Sequence, residues 1–339
     1  MLHGWWGGLK ANGSVEQTFR LASLFSGIGG FELGFEEAGF RTVFQCEIDD
    51  FCRTILKKHW PAVPKTEDIR LLLGADIPLA DVWTAGFPCQ DVSLARMGPR
   101  AGINGRQSAL FFEFARLVGE GRPRVFVLEN VSGLLSSHGG RDFGIVLSTL
   151  AELGYALEWR VLNSRYFGVS QSRPRIYIVG VDRDRRGPAA ILFEPERRSR
   201  HVKTGRPLGS HTLSPFKEVL GHPSEKGPVT PAIAYCLYAE SARHTGTDWS
   251  RNYVSYPSRG LVRRLTPREA EGVMAFPEDW TMPDDTRSTS QDLDTPRYHA
   301  LGNAVTPPVA CWLAKRIKVY LLECDASTKT ALRAATPAH

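Results

Sequence analysis

From about Phe19 to Val181, short apolar and β-branched runs alternate with stretches whose apolar residues recur at helical spacing. The runs "RLASLFSG", "TVFQCEI", "DVWTAGFP", "RVFVLEN" and "RIYIVGV" predict buried strands. Between them "GFELGFEEAG", "DFCRTILKKHW", "SALFFEFARLVGE" and "DFGIVLSTLAELG" predict helices. Such alternation predicts an α/β fold with a mostly parallel sheet covered on both faces. Ligands of these sheets sit beyond the carboxyl ends of the strands, where the punctuated turns of this chain fall.

After Val181 the pattern breaks. Residues 182–262 are rich in Arg, Pro, Gly, His and Ser, with weak strand signals at "AAILFE" and "AIAYCLYA". They predict a smaller, loop-rich second domain reaching to about residue 300. Within it "TPREAEGVMAF" predicts a capped helix, with Thr266 as N-cap, Pro267 first and Glu269 third. In the segment 301–324, "PPVACWLAKRIKVYLLE" predicts an amphipathic helix that packs back onto the first domain. Residues 1–18 and 325–339 are expected to be flexible ends.

Charge and cysteine usage narrow the partners. The net charge is +6 and the pI about 9.0, which suits a polyanion. Between Arg183 and Arg206 eight basic residues face only Asp184, Glu194 and Glu196. No apolar run is long enough to span a bilayer, and the start "MLHGWWGGLKANG" lacks the pattern of a secretory signal. The six cysteines are scattered and never spaced C-x-x-C. That argues against a disulfide framework and a zinc site, and for a reducing cytoplasm.

Four turns carry candidate chemistry. "LFSGIGGFELGFEEAGF" joins a strand to a helix through glycines that let backbone approach a ligand. It departs from G-x-G-x-x-G, because the sixth position from Gly27 is Glu32, and this counts against NAD. Glu47 in "CEID" is placed to bond ribose hydroxyls, and Asp68 in "EDI" reads equally as a ligand or a helix cap. "GFPCQDVS" sets Cys89 directly behind Pro88 at a strand end.

In order, "FSGIGGFELG", "GFPCQDVS", "ENV", "QSRPRIYIVG", "RLTPREAEGVMAFP" and "GNAVTPPV" resemble the motifs of bacterial DNA cytosine carbon-5 methyltransferases, over about residues 21 to 320. The resemblance implies a Rossmann-like S-adenosylmethionine-dependent methyltransferase fold with a target-recognition domain whose variable part is 182–262. Carbon 5 of cytosine attacks a methyl donor only after a thiolate adds to carbon 6, and covalent catalysis of this kind splits one hard step into two. Cys89 is the implied nucleophile. Glu129 is the implied proton source for ring nitrogen 3, a carboxyl kept neutral by its surroundings; taken alone, it reads as a salt-bridge partner. Arg175, supported by Arg173, is implied at the base carbonyl, with phosphate contact or a link to Glu129 as the plainer reading.

The same resemblance marks Phe25, Gly27, Gly29, Glu47, Asp68, Ile69, Pro88, Leu110, Asn303 and Ala304 for the cofactor, with S-adenosylhomocysteine as product and no metal. Gln90 and Ser93 correspond to contacts with the DNA backbone. The following stretch, with Gly98, Gly102 and Gly105 for flexibility and Arg96, Arg100 and Arg106 for phosphates, suits a lid over a flipped base. Extruding that base costs a few kcal/mol. One departure is Gly272, where the family usually carries Arg, which loosens the expected packing of the second domain. The expectation is a monomeric, cytoplasmic, nucleoid-associated enzyme on double-stranded DNA, serving beside a restriction endonuclease or in phage defence. A tRNA cytosine methyltransferase and a catalytically silent DNA-binding regulator are the alternatives.

Overall fold

A computed structural model describes residues 17–88, 109–182, 188–193, 233–237, 252–256, 259, 261–284 and 290–335. Its first part runs β1 (Arg20–Leu24), α1 (Gly30–Glu37), β2 (Arg41–Cys46), α2 (Asp50–His59), β3 (Lys65–Thr66), β4 (Val82–Ala85), α3 (Ala109–Gly121), β5 (Val125–Val131), α4 (Arg141–Glu152), β6 (Tyr155–Asn163) and β7 (Pro174–Asp182). There follow α5 (Ala189–Leu192), the hairpin β8 (Tyr253–Tyr256) and β9 (Leu261–Arg264), α6 (Pro267–Val273), α7 (Ser290–Asn303) and α8 (Pro307–Ala335).

Seven strands form one sheet in the order β3-β2-β1-β4-β5-β7-β6. The pairs from β3 to β5 are parallel, and only β7 runs against its neighbours. Central strands are apolar on both faces, as a sheet buried between two helical layers requires. Along β5, Phe126 and Leu128 join Trp83, Phe111, Phe114, Phe143 and Val146 in one core. Val125 and Val127 turn the other way, onto Phe31 and Phe35 of α1 and Val309, Leu313 and Ile317 of α8. The last long helix therefore returns to the first domain. Gly34 makes that approach possible, since a Cβ there would sit 2.5 Å from Pro307 O and 2.6 Å from Ala310 Cβ. A third core joins Ile28, Leu56 and Trp60 to Val273, Met274, Phe276, Trp280 and Leu301, tying α2 to α6 and α7.

Some elements differ from the sequence expectation. β6 was not predicted; "YALEWRVLN" is a sheet edge, paired only with β7, and its middle residues Trp159, Arg160 and Val161 face outward. Within "AAILFE", Ala189–Leu192 form the short helix α5 rather than a strand. Its buried Ile191 and Leu192 are clasped by Arg316, which bonds Ile191 O, and by Arg160, which donates to Leu192 O at 3.0 Å. α8 continues to Ala335 where a flexible tail after residue 324 was expected. In that stretch Ser327, Thr328 and Thr330 hydroxyls bond the carbonyls one turn back, keeping the helical repeat. α7 was missed because Pro296, inside it, reads as a breaker.

The cap on α6 is as its sequence dictates: Glu269 N donates to Thr266 Oγ1 at 3.2 Å and Thr266 N to Glu269 Oε2 at 2.7 Å. A Cβ on Gly272 would meet nothing within 4 Å, so the missing side chain leaves no defect inside the core. Its neighbour Glu271 anchors the helix instead, fully buried, accepting from Thr281 N at 2.8 Å and Arg297 Nη2 at 2.9 Å. Among the described residues no helix is long and apolar enough to cross a membrane.

Candidate active site

The strand order reverses at β1, which has β2 on one side and β4 on the other, so the switch point at which such sheets form a ligand crevice lies beyond the carboxyl ends of β1 and β4. Three consecutive stretches converge there. After β1 the backbone turns left-handed at Phe25 (φ 55), Gly27 (φ 56) and Gly29 (φ 86). Gly29 is wedged against a wall, since a Cβ there would lie 2.3 Å from the Trp60 ring. At Gly30 a Cβ would lie 2.2 Å from Val305 O. Gly27 is the contrast: a Cβ there meets nothing within 4 Å, so its backbone fronts open space. Trp280 Nε1 donates to Ile28 O at 2.8 Å and fixes the middle of the loop from the far end of the chain.

Glu47, just past β2, faces this loop. Its carboxylate accepts Gly27 N at 2.7 Å and Asp49 N at 2.8 Å, which locks its orientation and leaves lone pairs on both oxygens for a further donor. Burial raises its pKa, against the pull of those amides. Beside it Ile48 is 63 % exposed, an apolar surface the sequence reading passed over. Asp68 realises the plainer of its two readings. It caps the following turn through Arg70 N at 3.0 Å and holds the Arg70 guanidinium, which lowers its pKa. Ile69 is buried in the core, Pro88 and Leu110 are half-buried, Asn303 is exposed and Ala304 is buried.

The carboxyl end of β5 supplies the second half of the site. β7 runs antiparallel, so its first residues lie at the same edge: Val131 pairs with Arg175 and Glu129 with Tyr177. Glu129 is 7 % exposed, and Arg175 Nε stands 3.1 Å from its Oε1. That oxygen nevertheless has no hydrogen bond, because the N–H is out of line. Burial pushes the Glu129 pKa above the usual carboxylate range, and Arg175, then Arg173, pull it part of the way back. Glu129 is thus a carboxyl that burial shifts toward its neutral form, with Oε1 beside Arg175 but without a hydrogen bond.

Arg173 and Arg175 part company. The Arg173 guanidinium, 2 % exposed, donates to Leu237 O at 2.9 Å, Gly302 O at 2.8 Å and Ala304 O at 2.9 Å. It binds the rest of the chain to β7, while Arg175 faces the carboxyl.

Asn130, whose role the sequence reading did not resolve, links both halves. Its Nδ2 donates to Phe87 O at 3.2 Å, holding the strand end that leads through Pro88 to Cys89. Gly86 lies against the same carboxyl, its virtual Cβ 3.6 Å from Glu129 Oε2. The only sequence signal for Asn130 was its place inside "ENV". Cys89, Gln90, Ser93, Arg96, Arg100 and Arg106 lie outside the described residues, as does most of the basic stretch 183–206.

Comparison with known proteins agrees with this geometry. Type II methyltransferase M1.ScrFI of Lactococcus lactis subsp. cremoris is 33% identical over 315 residues, covering 88% of this chain and 78% of its own length. Type II methyltransferase M.SsoII of Shigella sonnei is 32% identical over 316 residues, covering 88% and 80%. A crystal structure of a DNMT2 mutant from Spodoptera frugiperda shares the fold, with a TM-score of 0.61 at 18% identity over 89% of this chain and 99% of its own. The match to the family described as C-5 cytosine-specific DNA methylase spans residues 19–211 and 227–319 and takes in every described site residue, so the chain belongs to that family.

Proposed function

We propose that this protein methylates carbon 5 of a cytosine turned out of duplex DNA, with S-adenosylmethionine as donor and Cys89 as the covalent nucleophile. The observation that carries the reading is Glu129: a buried carboxyl with one unpartnered oxygen, beside Arg175 and against the strand end that precedes Cys89.

The crevice fits the donor. Open space in front of Gly27 admits a ligand against the backbone, Glu47 offers its remaining lone pairs to a ribose diol, and exposed Ile48 offers an apolar face to a flat base. When bound, S-adenosylmethionine supplies a methyl group on a positively charged sulfur.

On the other side the Cys89 sulfur adds to carbon 6 of the pyrimidine, and the displaced electron pair moves toward ring nitrogen 3. Glu129, shifted toward its acid form by burial, supplies the proton or hydrogen bond that nitrogen needs. Arg175 adds positive charge next to the carboxyl, where the base carbonyl can accept from it. Carbon 5, now part of an enamine, carries the nucleophilic density. After alkylation the ring nitrogen returns its proton to Glu129, a base from solvent takes the carbon 5 proton, and the C–H electron pair re-forms the C5–C6 double bond and expels the Cys89 sulfur as thiolate.

The names of the relatives support a restriction–modification setting, and we extend that to this chain together with a monomeric state. Arginines 96, 100 and 106, with Gln90 and Ser93, are proposed to hold the DNA backbone. The test is transfer of a labelled methyl group to mixed-sequence duplex DNA, with tRNA as a parallel substrate. Label in DNA that vanishes in Cys89→Ser, with a trapped adduct on 5-fluorocytosine DNA, is expected. No transfer to any DNA, or stronger labelling of tRNA, refutes the reading.

A further inference from the structure

The sulfur of Cys236 touches both guanidiniums of "QSRPR". Arg173 Nη1 donates to it at 3.4 Å and Arg175 Nη2 at 3.8 Å, while its own S–H reaches Leu237 O at 3.5 Å. The strip that carries it is pinned from two directions. Toward the first domain, Ala234 N donates to Ser170 O at 2.8 Å, Ser172 N to Ala234 O at 2.9 Å and Leu237 N to Gln171 Oε1 at 3.2 Å. Toward the second, Tyr235 exchanges two hydrogen bonds with the Asn252 side chain, at 2.7 and 2.9 Å, at the foot of β8. Cys236 therefore stands between the β8–β9 hairpin and the arginine pair.

Arg175 needs a support of this kind. Among the described residues its Nη1 bonds the carbonyl of its own neighbour, Pro174, at 2.9 Å, and that contact moves with it. Its Nε sits 3.1 Å from Glu129 Oε1 without hydrogen-bond alignment, and that oxygen is more than nine-tenths buried and unpartnered. A small displacement of the guanidinium decides whether the carboxyl is tied up or free to face a base. Among the described residues, the hydrogen bond that Arg175 donates outside its own strand goes to Cys236.

We propose that Cys236 is a positioning residue: its sulfur sets where the Arg175 guanidinium sits relative to Glu129, and so couples the seating of the second-domain strip to the catalytic carboxyl. It acts through Arg175 rather than on substrate. The inference rests on the reading of Glu129 and Arg175 as the base-facing pair.

The test uses full-length protein, Cys236→Ala and Cys236→Ser. Glutamate carboxyls are labelled with carbon-13 and titrated by NMR without DNA or donor, the Glu129 signal being assigned through Glu129→Gln. Alanine releases Arg175 and removes positive charge that lowers the Glu129 pKa, so the Glu129 midpoint rises by about half a unit or more. Serine keeps an acceptor and a donor and leaves the midpoint near that of the parent. In methyl transfer, Cys236→Ala lowers kcat about 10-fold with KM for the donor unchanged, and serine restores most of it. An unmoved midpoint in Cys236→Ala, or equal shifts in both variants, overturns the coupling. Because the titration involves no methyl transfer, a shifted midpoint in a protein that methylates nothing supports the coupling while refuting the proposed activity.

Discussion

Helix α6 ends with its glycine and its alanine in each other's places. Phe276 N bonds Glu271 O at 2.9 Å and Ala275 N bonds Gly272 O at 3.1 Å, the paired bonds of a Schellman turn. That turn puts Ala275 at φ 60, the left-handed position where glycine is usual. The glycine stands three residues earlier, inside the helix at Gly272, with no left-handed φ and room for a side chain. Gly272→Ala should add about 0.5–1 kcal/mol, by removing backbone freedom that the helix must otherwise freeze. Ala275→Gly should relieve about 1–2 kcal/mol of left-handed strain. It gives back roughly 0.5–1 kcal/mol in the entropy of the unfolded chain, for a similar net gain. Because Ala275 N bonds Gly272 O the two sites are coupled rather than additive, and the double variant should gain at least what the better single variant does, about 1 kcal/mol, and melt about 2–3 °C higher. Circular dichroism melts of both single variants and the double, at one pH and scan rate, read this directly. A lower melting temperature for Ala275→Gly, or none gained by Gly272→Ala, would show that the αL strain or the open space was misjudged.

Replacing Glu129 with Gln should cost about 10²-fold or more in kcat, since amide cannot deliver the proton. The parent needs the acid form, which burial carries above the usual carboxylate range, so its kcat should fall as pH rises through that raised pKa, and the variant should lose this limb. A pH–rate profile at saturating DNA checks both. Glu32, fully buried under the glycine loop and accepting from Gln45 Nε2 at 3.0 Å, has its pKa pushed to about 7 by burial. Because the folded value is the higher one, its contribution is fully present below the unfolded value of 4.5 and is lost as pH rises through about 7. Glu32→Gln should therefore match the parent below pH 4 and be more stable above pH 8, by up to about 3 kcal/mol in urea melts. Arg173→Lys should be as damaging as Arg173→Met, each destabilising by about 3 kcal/mol or more, because a single ammonium cannot serve three separated carbonyls. Near-parental stability of the lysine variant would refute that.

The parallel core was legible because its strands are apolar on both faces and its helices carry one clear stripe. β6 was not, since at a sheet edge Trp159, Arg160 and Val161 answer to solvent and the alternation blurs. α7 was hidden by Pro296, whose cost the buried Leu301 and Arg297 offset through contacts far off in sequence. Residues of the site divide the same way. Glu129 and Glu47 stand out locally, as lone acids at the ends of apolar strands. Asn130, Trp60 and Cys236 do not, because their meaning lies in Phe87 O, Gly29 and two guanidiniums that only the folded chain brings near.

The two arginines of "QSRPR" show why spacing alone could not assign them. They stand two residues apart, Arg173 just before β7 and Arg175 inside it, yet they meet different partners. Arg175 meets a carboxyl. Arg173 meets the end of α7, whose final carbonyls have no partners within the helix and carry its partial negative charge. Gly302 O is one of these, Ala304 O lies just past the last helical residue Asn303, and the guanidinium bonds both. A fully buried cation is thus stabilised by a helix end rather than by an acid, which leaves Glu129 free of a second arginine at hydrogen-bond distance. Had a carboxylate stood at the end of α7, it would have competed with Glu129 for the same pair of cations. By answering Arg173 with backbone carbonyls, the fold fixes the returning C-terminal segment beside the glycine loop and leaves the field at Glu129 to Arg175.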